Sequence, residues 1–171
     1  MQIRRTAVGD AERLTVLERA LAHAKIGMVI SPDQVRTIDR ERALIRETLD
    51  EDGSTLGIVA ELGDRIVGTA LLKQLGPSRC RHVAVLSVGV HPDFQRRGIG
   101  RALMEHLIAH ARASGLVRLE LYVRSDNDRA QTLYRSLGFA HEGTRARFVR
   151  LDDGTARLPE YADDFIFSMF L

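Results

Sequence analysis

Between Val83 and Val90 the chain runs Val-Ala-Val-Leu-Ser-Val-Gly-Val and then passes through His91-Pro92-Asp93-Phe94 into Gln95-Arg96-Arg97-Gly98-Ile99-Gly100-Arg101. Behind the glycines, Ile99, Leu103, Leu107 and Ala111 recur at helical spacing, with Gly115 as a stop. This segment predicts a central strand buried on both faces, a tight turn, and an amphipathic helix over 99–114. The first amides of a helix have no partners within it and point outward with the positive end of the helix dipole. Gly98 and Gly100 leave the backbone open to close approach, and Arg96, Arg97 and Arg101 add positive charge around it. The pattern therefore predicts an anion site, although two glycines also suffice for a plain strand-to-helix turn. It is not a Walker loop, which needs Gly-Lys-Ser/Thr. It is not a dinucleotide fingerprint either, because the third glycine position falls on Leu103.

The rest of the chain reads as one continuous domain over residues 1–171, without repeats, low-complexity tracts or Pro/Gly/Ser-rich linkers. A short strand is expected over 2–7. A helix capped by Asp10 follows, with Leu14, Leu17, Leu21 and Ala24 on one face, and a second helix over 40–49 turns Ala43 and Leu44 inward. Two β-rich runs, 55–62 and 65–75, flank Gly63-Asp64 and read as a hairpin. Further strands are expected over 116–123, 139–151 and 165–171, with a helix over 128–137 closed by Gly138. The order predicts an α/β or α+β fold, a mixed sheet with helices on both faces.

Composition narrows the function classes. The formal net charge of +2 is too small to demand a nucleic-acid partner. Cys80 is the only cysteine, which excludes an internal disulfide framework and a Cys-rich zinc site, so no metal is expected. Neither a signal peptide nor a membrane-spanning run is visible, and a cytoplasmic location is expected.

The turn Gln95-Arg96-Arg97-Gly98-Ile99-Gly100, after a Val88-Gly89-Val90-His91-Pro92 strand end, resembles the GNAT superfamily of N-acetyltransferases. A Gln/Arg-x-x-Gly-x-Gly/Ala turn wraps the coenzyme A pyrophosphate in that superfamily. A second match lies downstream in Asn127-Asp128-Arg129-Ala130-Gln131-Thr132-Leu133-Tyr134-Arg135-Ser136-Leu137-Gly138-Phe139. It is similar to the family's Asn-x-x-Ala-x-x-Leu-Tyr-x-x-x-Gly-Phe. The resemblance extends from about residue 55 to the C-terminus. It implies a GNAT-like fold, a mostly antiparallel sheet of about seven strands, with acetyl-CoA as co-substrate. The implied cofactor-binding residues are Val88, Gly89, Val90, Gln95, Arg96, Arg97, Gly98, Ile99, Gly100, Arg101, Asn127, Ala130 and Tyr134. Asn127 also suits a helix cap, as do Ser125 and Asp128.

Acetyl transfer to an amine passes through a tetrahedral centre and expels a thiolate, which a neutral phenol can protonate. The resemblance makes Tyr134 the expected general acid, and core packing against Phe139 is its rival reading. It also implies that the strand before the turn holds the pantetheine arm along an edge where two strands splay. Gly89 would mark a bulge there, and a backbone N–H near Val88 would polarise the thioester carbonyl. In many relatives a Glu on that strand serves as base, and here it carries no carboxylate. His82 and Glu120 are the candidates in its place, against solvated roles for both. Cys80 lacks an evident His partner, so direct transfer in a ternary complex is favoured over an acyl-enzyme.

Acidic residues cluster at Asp50, Glu51 and Asp52, at Asp152 and Asp153, and at Glu160, Asp163 and Asp164. They would attract a cationic amine if they rim the acceptor pocket, and otherwise serve as solvated turns. The expected function is acetyl transfer to a primary amine, either a small molecule or a protein N-terminus or lysine. A non-catalytic acyl-CoA sensor is the alternative, and a nucleotide-binding regulator is a third reading. A homodimer through exposed sheet edges is compatible with the fold.

Overall fold

The computed structural model describes residues 1–24, 29–48, 54–152 and 160–171. The element order is β1 (Gln2–Arg5), α1 (Ala11–His23), α2 (Ile38–Thr48), β2 (Thr55–Leu62), β3 (Arg65–Gln74), β4 (Val83–Val90), α3 (Ile99–Ala113), β5 (Arg118–Arg124), α4 (Asp128–Ser136), β6 (Ala140–Arg150) and β7 (Tyr161–Phe170). The strands form one seven-stranded sheet in the order β1-β2-β3-β4-β5-β7-β6. Every pairing is antiparallel except β4 with β5. The expected α/β sheet of seven mostly antiparallel strands is thus present.

Alternation along β2 assigns the helices to the two faces. Ile58 and Ala60 point into a cluster with Leu103, Met104, Leu107 and Ala111 of α3. Val59, between them, points the other way, onto Leu14 and Leu17 of α1 and Ile45 of α2. The buried face of α3 seats on β3 at Gly68, where an added Cβ would lie 3.0 Å from Leu103 Cδ1 and 3.1 Å from Ile99 Cγ2. This contact fixes where the first turn of α3 stands.

Several local expectations change in the structure. The Asp10 side chain makes no cap bond to α1. Its carboxylate accepts the Ala7 N–H (2.8 Å) and pairs with Arg4 (2.7 Å) and Arg13 (2.5 Å), tying the helix start to β1. α2 buries Ile45 and Glu41, while Ala43 and Leu44 are only half-buried. β7 starts at Tyr161 instead of 165, because Asp163 accepts the Arg147 N–H (2.7 Å) and Asp164 pairs with Arg145, drawing this polar stretch into the sheet. β4 is not buried on both faces: Val83, Ala84 and Leu86 are buried, whereas Ser87 is exposed and Val88, Gly89 and Val90 are half-buried. The acidic residues at 50–52 and 153 lie outside the described residues. Among the described residues, no helix is long and apolar enough to cross a membrane.

Candidate active site

β4 opens because its neighbour leaves it. The β4–β5 ladder has three pairs, Val83–Arg118, Ala84–Leu119 and Val85–Glu120. Past Val85, β4 continues only along β3, up to the Gly68–Val90 pair, while β5 continues along β7 to Arg124. The edges separate, and a cavity of about 860 Å³ fills the gap, reaching from Val85–Val90 to the first turns of α3 and α4.

Backbone alternation shows which groups face this gap. The Val83 carbonyl accepts from Leu75 and the His91 N–H donates to Val67, both at 2.9 Å on the β3 side. The His82 carbonyl accepts from Val117 (2.9 Å) and Arg118 (3.2 Å) on the β5 side. Odd positions thus serve β3, and with the Leu86 N–H taken by β5 at the Val85–Glu120 pair, the Leu86 carbonyl and the amides and carbonyls of Val88 and Val90 face the opening. The Val90 carbonyl is taken by Gln95 Nε2 at 3.1 Å. The β3–β4 register runs through Gly89 without a shift, so Gly89 is not a bulge. It is small because an added Cβ there would stand 2.7 Å from Leu21 Cδ1 of α1.

The turn after β4 leaves its amides open. Gly98 precedes α3 with φ +78° and Arg96 has φ +64°, both left-handed. Ala102 is the first amide to find a partner in the new helix, donating to the Gly98 carbonyl at 3.0 Å. Among the described residues, no protein acceptor takes the N–H groups of residues 96–101. A Cβ on Gly100 would make only ordinary contact with Leu133 and Val90, at 3.4 and 3.6 Å, so protein packing does not demand glycine there. Gln95 anchors the turn through Val90 and receives Arg129 on its other side.

Val88, Gly89, Val90, Gln95, Arg96, Gly98, Ile99, Gly100, Arg101, Asn127, Ala130 and Tyr134 all border the cleft. Arg97 does not. Its guanidinium lies over the Phe94 ring at 5.0 Å and donates to the Asp93 carbonyl at 3.1 Å. Asn127 caps α4 by accepting the Ala130 N–H at 3.2 Å while lining the cleft. Tyr134 both packs in the core and borders the cleft. Its ring packs against Phe139 and Phe167, each with centroids 6.2 Å away, and it lines the cleft wall. Burial pushes its phenol up to about 12, which keeps it protonated at neutral pH.

Neither base candidate reaches the cleft. His82 is exposed at the far end of β4, six residues and thus about 20 Å along the strand from Val88. Glu120 sits where β4 and β5 are still paired, held by Arg118 Nε (2.8 Å) and the Tyr122 hydroxyl (3.3 Å). Leu21, expected from the sequence only as part of the apolar face of α1, also reaches the site, and Glu18 and Glu41 stand near it. Leu21 presses on Gly89, and Glu18 and Glu41 line a second cavity beneath α1 and α2. The one signal for Glu18 was its place three residues before Leu21 on an amphipathic helix.

A split sheet, an open helix start and a protonated phenol meet in this one cleft. The model of the acetyltransferase (GNAT) family matches residues 22–139, and the chain belongs to that family. It is similar to the N-alpha-acetyltransferase RimI of Mycobacterium tuberculosis, with 43% identity over 97 residues, 57% of this chain and 60% of that protein. The ribosomal protein bS18-alanine N-acetyltransferase of Escherichia coli is 43% identical over 70 residues, 41% of this chain and 47% of that protein. The chain thus spans about half of the length of the curated relatives it matches. The structure of yncA from Salmonella typhimurium with its cofactor acetyl-CoA superimposes with a TM-score of 0.85 at 22% identity, covering 100% of this chain and 94% of that one.

Proposed function

We propose that residues 1–171 form one N-acetyltransferase domain that transfers the acetyl group of acetyl-CoA to a primary amine, directly in a ternary complex. The observation that carries this reading is the run of unpartnered amides at residues 96–101, opening onto the same gap as the Val88 amide and Tyr134. The fit to coenzyme A is chemical. Helix-start amides and the Arg96 and Arg101 side chains suit a pyrophosphate, and a glycine at 100 that packing does not require leaves room for it. The outward carbonyl of Leu86 and the outward amide and carbonyl of Val88 suit an extended chain of amides laid along β4 as an added strand.

Acetyl-CoA supplies the activated acetyl group. The Val88 N–H polarises the carbonyl that the amine attacks. Tyr134, neutral under working conditions, donates its proton to the departing sulfur and regains one from solvent or product. Asn127 and Ala130 hold the α4 wall of the cleft in register. Among amines, a protein N-terminal α-amine is the favoured acceptor, because both curated relatives named above act at that position by their names.

The test is release of free coenzyme A thiol from acetyl-CoA, followed with peptides that carry a free N-terminal alanine and with the same peptides blocked at that amine. The free peptides are expected to be acetylated and the blocked ones not. Tight acetyl-CoA binding with no turnover on any amine would mark a sensor and overturn the proposal.

A further inference from the structure

The cleft narrows where the acyl group of a bound thioester would end. The open turn lies beyond Val90, so a ligand held there and along β4 runs toward Val85, and pairing of Val85 with Glu120 closes the gap at that point. A thioester carbonyl on the Val88 N–H therefore points its acyl carbon into the closed end. On the α3 face this end is already full: Leu86, Leu121 and Val123 belong to the core beneath α3 and are at most 4% exposed. On the α1 face Ser87 is exposed and Gly89 carries no side chain. An acyl tail longer than acetyl finds its room on this second face, since a close-packed core does not yield to an added methylene.

Leu21 of α1 stands on that face. Its Cδ1 comes so near to β4 that a Cβ on Gly89 would be only 2.7 Å away. Leu21 borders the large cleft and also a second cavity, of about 280 Å³, beneath α1 and α2. The two cavities share Ser87, Val88 and Gly89 as well, so the half-buried Leu21 side chain is part of the wall between them. Behind it the second cavity has apolar lining from Leu14, Leu17 and Leu44, while its carboxylates, Glu18 and Glu41, are paired with Arg36 at 2.6 and 3.3 Å. A two-carbon acyl group ends in the gap. A longer one turns over Ser87 and meets the Leu21 methyls, with space for it only on their far side.

We infer that Leu21 sets the acyl chain length, admitting acetyl and turning away longer acyl groups. The inference rests on the acetyltransferase reading above and adds the residue that selects the donor's acyl group. Gly89 belongs to the same device, because its missing side chain lets the Leu21 tip close down on β4.

Calorimetry on the whole chain tests this, with acetyl-CoA and hexanoyl-CoA as probes and no acceptor present. The wild-type protein is expected to bind acetyl-CoA about tenfold or more tightly than hexanoyl-CoA. Leu21→Ala joins the two cavities and should shift the ratio of the two affinities toward hexanoyl-CoA by a similar factor, and Leu21→Val should shift it the same way by less. Thermal melts show which variants are folded. Equal binding of the two thioesters by the wild-type protein overturns the inference without recourse to any variant. So do folded Leu21 variants that keep the wild-type ratio. Leu14→Ala enlarges the second cavity without touching the cleft, and an equal change of ratio there would trace the preference to loosened packing of α1 and overturn the inference too. Failure of the wild-type protein to bind coenzyme A itself would instead bring down the acetyltransferase reading.

Discussion

Tyr134 shows how one side chain meets two demands. Its ring is held between Phe139 and Phe167, and its burial keeps the phenol protonated. Tyr134→Phe preserves the ring contacts and removes the proton, so kcat should fall by about 10²–10³-fold in steady-state assays while acetyl-CoA affinity and melting temperature stay near wild type. A variant as active as wild type would deny the acid role. Gly89 makes a steric prediction. Gly89→Ala drives a Cβ to 2.7 Å from Leu21 Cδ1, which forces that side chain or α1 to move. Because only the end of a half-buried leucine beside the cleft must swing aside, stability should drop by less than about 1 kcal/mol in urea denaturation. At this scale the open turn at 95–100 was legible because the glycine spacing is itself the constraint, although the place of Arg97 outside the cleft was not. The base candidates were not. Residue type and ordinary pKa mark His82 and Glu120 as capable, but only the register shows that His82 stands at the wrong end of β4 and that Glu120 is engaged by Arg118.

At the scale of elements, β1, α1 and β2 are joined by one ionic cluster. Asp10 and Glu61 each contact both Arg4 and Arg13, over 2.5–2.9 Å. The Arg4 guanidinium, against the opposing effect of burial, holds the Asp10 carboxyl down at about 2. Its folded value lies below its unfolded one, so its stabilisation is fully present above about pH 4 and is lost as pH falls toward 2. Denaturation midpoints measured across that window should decline for the wild type and much less for Asp10→Asn. Asp10→Ala should cost about 1–2 kcal/mol at pH 7, because it removes the buried carboxylate that joins Arg4, Arg13 and the Ala7 N–H, while both half-exposed arginines keep Glu61. The β2–β3 hairpin was readable from Gly63-Asp64 between two β-rich runs, and both strands fall within a residue of their expected ends. The apolar run of β4 was misread as buried on both faces, because residues that line a cleft for a ligand are as apolar as those that fill a core.

For the whole molecule, the cleft follows from one choice of strand partner. β5 pairs with β4 for three residues and then commits to β7, and that departure creates the gap. The sequence showed strands of the right number but not that β7 inserts between β5 and β6, because this depends on pairing between segments some forty residues apart. The central claim is that the open amides of residues 96–101 and of Val88 grip one extended ligand. Amide NMR spectra recorded during titration with coenzyme A test it most directly. The largest shifts should fall on Arg96 to Arg101 and on Val88. The Gly89 amide, turned toward β3, should move far less. Amides at 96–101 that stay in place while coenzyme A binds, or shifts confined to α1 and α2, would contradict the account.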